Sequence, residues 1–97
     1  MIEISSLTVI TKDGELSVLD SSQMLSELLE AEKALGSSLP SERRDRLERI
    51  VILIEHELYN QFEETVPVAE LQKIVEDRLT EFNEMELVKQ MRRNKER

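Results

Sequence analysis

The sequence predicts an α+β, mostly α fold, an N-terminal β-hairpin packed on a four-helix bundle, and three observations carry that prediction. Asp13-Gly14, a pair that tolerates positive φ, sits between two stretches in which apolar residues alternate. From residue 20 onward, apolar residues recur at three- and four-residue steps, the period of a helix. That period is interrupted at Gly36 to Pro40, at Glu63 to Pro67 and at Asn83, which divides the rest of the chain into four helices.

The elements follow in order, with a hairpin expected over about 6–19 and helices over about 21–35, 41–62, 68–82 and 84–95, all in one domain spanning 1–97. With Asp13-Gly14 as a two-residue loop, Lys12 faces Glu15, Thr11 faces Leu16, Val9 faces Val18 and Leu7 faces Asp20. Leu7, Val9, Leu16 and Val18 then share one face, and all four should touch helical residues, because an isolated hairpin is marginal in water. Ile10 and Leu19 fall on the other face. Ile2 and Ile4 alternate with polar residues and either extend the first strand or fray.

Asp20 or Ser21 caps the first helix, with Gln23 at the capping-box position, and Gly36 stops it. Met24, Leu25, Leu28, Leu29, Ala31 and Leu35 form its apolar stripe. The second helix carries Leu47, Ile50, Val51, Ile54, Leu58 and Phe62 at helical spacing, and Ile52 and Leu53 widen the stripe. It is therefore expected as the spine of the core, covered on more than one side. Pro67 opens a third helix with Val68, Leu71, Ile74, Val75, Leu79 and Phe82 on its inner side. Asn83 followed by Glu86 reads as a capping box for the last helix, whose stripe of Met85, Val88 and Met91 is narrow.

Composition excludes several kinds of chemistry. The 97 residues contain no Cys, one His and two Gly, so no thiol nucleophile, thiolate metal site or glycine-rich phosphate loop is available. His56, with Glu55 and Tyr59 nearby, lacks the convergent partners a metal needs and reads as an ordinary helix position. No nucleophile-and-base motif appears, so the chain is not expected to be an enzyme. A net charge of −8 argues against nucleic acid as a partner. The longest apolar run, Ile50 to Ile54, is too short for a bilayer, and Met1-Ile2-Glu3-Ile4 carries no leader signal, so no membrane partner and a cytoplasmic location are expected.

Charge is unevenly placed. Lys89, Arg92, Arg93, Lys95 and Arg97 make the last segment basic on an acidic body, an arrangement that complements the dipole of a final helix and leaves phosphate contact open. Arg43, Arg44, Arg46 and Arg49 are interleaved with Glu42, Asp45 and Glu48, which points to pairing within the helix rather than to a phosphate grip.

The hairpin positions Val9, Ile10, Thr11, Lys12, Asp13 and Gly14, then Leu19, Asp20, Gln23 and Met24, together with Val66-Pro67-Val68 through Glu76, resemble the ATP-cone. This is the allosteric nucleotide-binding domain of ribonucleotide reductases and their regulators, and the likeness runs from Val9 to Arg97. It implies a small regulatory domain in which Lys12, Lys89 and Arg93 contact phosphates. The hairpin, with Val9, Asp13, Gly14 and Asp20, lies over base and sugar. The ligand would be ATP or dATP with magnesium, no cofactor being required, and binding would shift an oligomeric equilibrium or the assembly of a partner. The chain departs from the family pattern where two lysines are replaced by Thr11 and Gln23 and an arginine by Lys12. It departs again where the closing helix offers Met91, Asn94 and Lys95 in place of aromatic residues and a terminal arginine. Each lost cation removes a charge-assisted contact that would offset phosphate desolvation, so weaker binding or a changed ligand follows.

Two further readings stay open. In one, the fold persists as a protein-interaction or dimerisation module without nucleotide, through Ile10 and Leu19 on the hairpin and Met85, Val88 and Met91 on the last helix. In the other, an acidic helical domain of unrelated lineage shares the element order. The likeness covers neither a reductase nor a zinc module, and both an excised segment and a stand-alone regulator fit it.

Overall fold

The computed structural model of the protein describes residues 7–95. Strands β1 (Thr8–Ile10) and β2 (Leu16–Val18) lead into helices α1 (Ser21–Ala34) and α2 (Ser41–Gln61); a short strand β3 (Thr65–Pro67) follows, then α3 (Val68–Glu81) and α4 (Met85–Lys95). The architecture is mostly helical, with a three-stranded sheet in the order β2-β1-β3. β1 pairs antiparallel with β2 and parallel with β3. Ile2 and Ile4, which either extend the first strand or fray, lie outside the described residues.

The hairpin register differs by one residue from the two-residue loop. Thr11 N–H donates to the Glu15 carbonyl at 2.9 Å and Gly14 N–H to the Thr11 carbonyl at 3.0 Å, so the loop is Lys12-Asp13-Gly14. Gly14 holds φ at 84°, the left-handed residue that closes a three-residue hairpin loop. Val9 consequently pairs with Ser17, and Ile10 with Leu16. Since side chains alternate along a strand, the slip sends Leu16 and Val18 to the outer face, where they are 70% and 64% exposed. Leu7 and Val9 stay buried.

The third strand occupies Thr65 to Pro67, where the sequence showed only a break between helices. Thr8 N–H donates to the Glu64 carbonyl at 2.9 Å, and Val9 lies opposite Val66, which is fully buried. Three residues are too few for alternation to show, and Pro67 is accommodated because β3 is an edge strand.

Both αL stops follow one pattern. Gly36, at φ 90°, donates to the Lys33 carbonyl while Ser37 donates to that of Glu32, the paired bonds that satisfy a helix C-terminus. Asn83, at φ 61°, does the same for α3, donating to Thr80 while Glu84 donates to Leu79. The capping-box expectation for Asn83 is thereby corrected: it ends α3 rather than opening α4. Asn, which tolerates αL, serves there in place of glycine.

The core runs between the inner sheet face and the helices, through Leu28, Leu47, Ile54, Leu58, Leu79 and Leu87, all fully buried. Each such side chain contributes roughly 1.5–3 kcal/mol of transfer free energy. α2 packs on α1 and α3 through Ile50, Val51, Ile54 and Leu58, but Ile52 and Leu53 are about half exposed, so one side of α2 remains open to solvent.

The arginines at the start of α2 do not pair mainly within their helix. Arg43 donates from Nε and Nη2 to Glu32 of α1 at 2.7 and 3.0 Å, and from Nη1 and Nη2 to Glu84. Arg46 adds a 2.8 Å contact to Glu84 and a 2.6 Å bond to the Phe82 carbonyl. Arg44–Glu48, at 3.5 Å, is the intrahelical pair that forms. Position 43 faces the junction of α1 and α4, where two buried carboxylates wait for a cation, and that desolvated attraction outweighs a solvated i,i+4 contact.

Candidate functional site

A cavity of about 480 Å³ lies between the hairpin, the start of α1, the first turns of α3 and the end of α4. Its floor is apolar: Val9, Met24 and Val75 are buried there, and Leu19, Leu71 and Met91 are partly so. Its walls carry polar groups from every surrounding element, with Thr11, Lys12 and Ser17 from the hairpin, Asp20, Gln23 and Glu27 from α1 and its cap, Gln72 and Glu76 from α3, and Arg92 from α4.

The hairpin register makes this space. Val9, Thr11 and Ser17 occupy the inward positions, so the short Ser17 stands where the two-residue loop would have set the branched Leu16 and Val18 against the helices. Asp20 is fixed as the N-cap of α1, its Oδ1 accepting from Ser22 N–H at 2.9 Å and Gln23 N–H at 3.4 Å. The α1 N-terminus, with its positive dipole end, therefore opens beside the cavity. Across it, Arg92 holds Glu76 in a two-bond ion pair, Nε to Oε2 at 3.1 Å and an Nη to Oε1 at 2.7 Å. Hydrogen bonding to Glu76 raises the Arg92 pKa above its ordinary value, so the guanidinium stays charged.

Of the residues proposed from sequence for a nucleotide, Val9, Lys12 and Asp20 line this cavity. Asp13 and Gly14 form the exposed loop tip and do not. Lys89 and Arg93 also lie off the wall; Lys89 sits 3.9 Å from Glu86 on the outer side of α4. The stripe of Val88 and Met91 faces inward, and at 100° per residue the positions 89 and 93 rotate about a quarter turn or more away from Val88. Arg92, four residues beyond Val88 and beside Met91, is the α4 cation that faces the cavity. The i,i+4 step from Val88 was the signal for it.

The candidate interaction residues separate as well. Ile10, part-buried, shares the outer sheet face with Leu16 and Val18. Met85 is 44% exposed and accepts from Thr80 Oγ1 at 3.4 Å. Leu19 and Met91 pack on the core and line the cavity. Val88 is corrected: at 2% exposure it belongs to the core, because α4 needs a buried residue against α1 and α3 to dock at all. Among the described residues no group of three or more acidic or histidine side chains could hold a metal ion, and His56 is exposed on α2. No helix of the described residues is long and apolar enough to cross a membrane.

A cleft with an apolar floor and a charged rim, roofed by a hairpin and walled by three helices, defines a small ligand-binding domain. Residues 7–96 match the family model of the ATP cone domain, and the chain belongs to that family, whose members are nucleotide-binding regulatory domains that take ATP or dATP. No curated protein matches the chain.

Proposed function

We propose that the protein is a non-catalytic regulatory domain that binds an adenine nucleotide in the hairpin cavity and controls the assembly of itself or of a protein partner. The observation that supports this reading most is the cavity itself, about 480 Å³ and within the range of small-ligand sites, with an apolar floor suited to a base and cations at its rim. In this reading Lys12 and Arg92 meet the phosphates, and the α1 N-terminus adds its dipole to them. Val9, Leu19 and Met91 pack on the base, and Asp20 keeps the α1 terminus in place. Binding changes assembly only so far as the nucleotide prefers one assembled state, a coupling of about 1–3 kcal/mol in comparable systems.

The test is calorimetric titration with ATP and with dATP in the presence of magnesium, with light scattering on the same samples. Saturable heat is expected, accompanied by a change of mass. Lys12→Ala should abolish the heat while leaving thermal stability within about 0.5 kcal/mol, since Lys12 is exposed. No heat at millimolar ligand would remove the nucleotide from this reading. The second reading, an interaction module, would then take precedence on the strength of the exposed Leu16 and Val18.

A further inference from the structure

The cavity's charge is mixed in a way that bears on which nucleotide it takes. Asp20, Glu27 and Glu76 line the same walls as Lys12 and Arg92. Arg92, the α4 cation that faces inward, is engaged by Glu76 along one guanidinium edge, through Nη2 at 2.7 Å and Nε at 3.1 Å. A phosphate that meets Arg92 at its other edge shares the cavity with that carboxylate, and one that needs the Nε edge must displace it. Glu27 and Asp20 add their fields on the α1 side, and the three carboxylates do not form a metal-holding group that could turn their charge to advantage. Repulsion grows with every phosphate added, whereas the cations' attraction is already partly committed to Glu76.

We propose that the Glu76–Arg92 pair sets this site for a nucleotide of low charge, a nucleoside monophosphate in preference to a free triphosphate. The proposal rests on the cavity being the nucleotide site. A monophosphate carries roughly two negative charges at neutral pH. It can bridge Lys12 and the outer edge of Arg92 while the ion pair stays in place. A triphosphate extends past the cations toward Glu76 and Glu27. Magnesium reduces the ligand's own charge and narrows the difference.

The experiment is titration of the intact chain with adenosine, AMP and ATP in chelator, repeated with magnesium, on the wild type and on Glu76→Gln, Arg92→Gln and Glu86→Gln. In chelator, AMP is expected to bind about tenfold or more tightly than ATP, a gap that magnesium reduces. Glu76→Gln should raise ATP affinity about three- to tenfold relative to AMP, the scale of one partly exposed charge. Arg92→Gln should weaken AMP while leaving adenosine unchanged. Glu86→Gln removes the same charge from the outer side of α4 and should leave the AMP-to-ATP ratio alone, which separates a local effect from one of net charge. ATP binding as tightly as AMP in chelator, or a ratio unmoved by Glu76→Gln, overturns the proposal while leaving the nucleotide site intact. Failure of all three ligands overturns both.

Discussion

At the N-terminal end of α4, Glu84 is held by Arg43 and Arg46 with its side chain 8% exposed, and Arg43 extends the cluster to Glu32, equally buried. At the far end of the same helix, Arg92 meets Glu76 with side chains 62% and 35% exposed. The chemistry of the two clusters is alike, but their surroundings are not. The first ties the ends of α1 and α3 to the start of α2, and both of its carboxylates are shielded from solvent, so its geometry is fixed by packing. The second stands at the rim of a cavity, where water or a ligand can replace either partner. Burial, more than the identity of the ion pair, separates a strut from an exchangeable contact.

The largest effect that sharpens this contrast is Arg43→Ala. It leaves two buried carboxylates, of which Glu84 keeps Arg46 while Glu32 loses its guanidinium, and stability should fall by about 3 kcal/mol or more. Arg92→Ala, at the exposed end, should cost far less, because solvent screens that pair. Urea midpoints of the two variants at neutral pH read the difference, and equal losses would erase the distinction.

Acid should act on the same cluster with a sign that can be worked out. The Arg43 hydrogen bonds hold Glu32 below the ordinary carboxylate value of 4.5. Burial pushes Glu84 up, but hydrogen bonds from Arg43 and Arg46 outweigh it and leave that pKa lowered too. Both carboxyls thus bind protons more readily when the chain is unfolded. Their stabilisation is present above about pH 4.5 and is lost as pH falls through the folded-state values. Arg43, raised by Glu84 and then Glu32, stays charged throughout. In Arg43→Ala, protonation relieves the stranded carboxylates instead, so the gap between the wild type and the variant should narrow below pH 4.5. Thermal melts from pH 7 to pH 3 measure it, and a constant gap would mean that the cluster does not titrate with folding.

How much of this was legible in the sequence depended on the range of the signal. The helices announced themselves because Leu28, Ile54, Leu58, Leu79 and their neighbours repeat with the helical period over many turns, and the family followed from the hairpin and the Val66 to Glu76 segment. The Arg43 cluster was hidden because its partners lie 11 and 41 residues away, and charge spacing along one helix reports only on that helix. Strand β3 was hidden by its length, and Asn83 by the fact that the same residue suits an N-cap and a left-handed stop. At the cavity, Val9, Lys12 and Asp20 could be read from local motif positions, while Arg92 required knowing which side of α4 faces inward.

The smallest expected effect tests the hairpin, where one residue of register decides whether there is a cavity at all. Asp13-Gly14 is compatible with a two-residue loop and with the three-residue loop that Gly14 closes at φ 84°, and the apolar alternation of Leu16 and Val18 reads equally well on either face. The three-residue loop leaves Leu16 70% exposed on an edge strand. Leu16→Thr, which keeps a strand-favouring side chain, should therefore change stability by no more than about 0.5 kcal/mol. In the alternative register Leu16 would lie on the helix-facing side of the sheet, and truncating a buried leucine costs about 2–5 kcal/mol. A loss on that scale in a urea titration would restore the two-residue loop, turn Leu16 toward the cavity, and remove space that the nucleotide reading depends on.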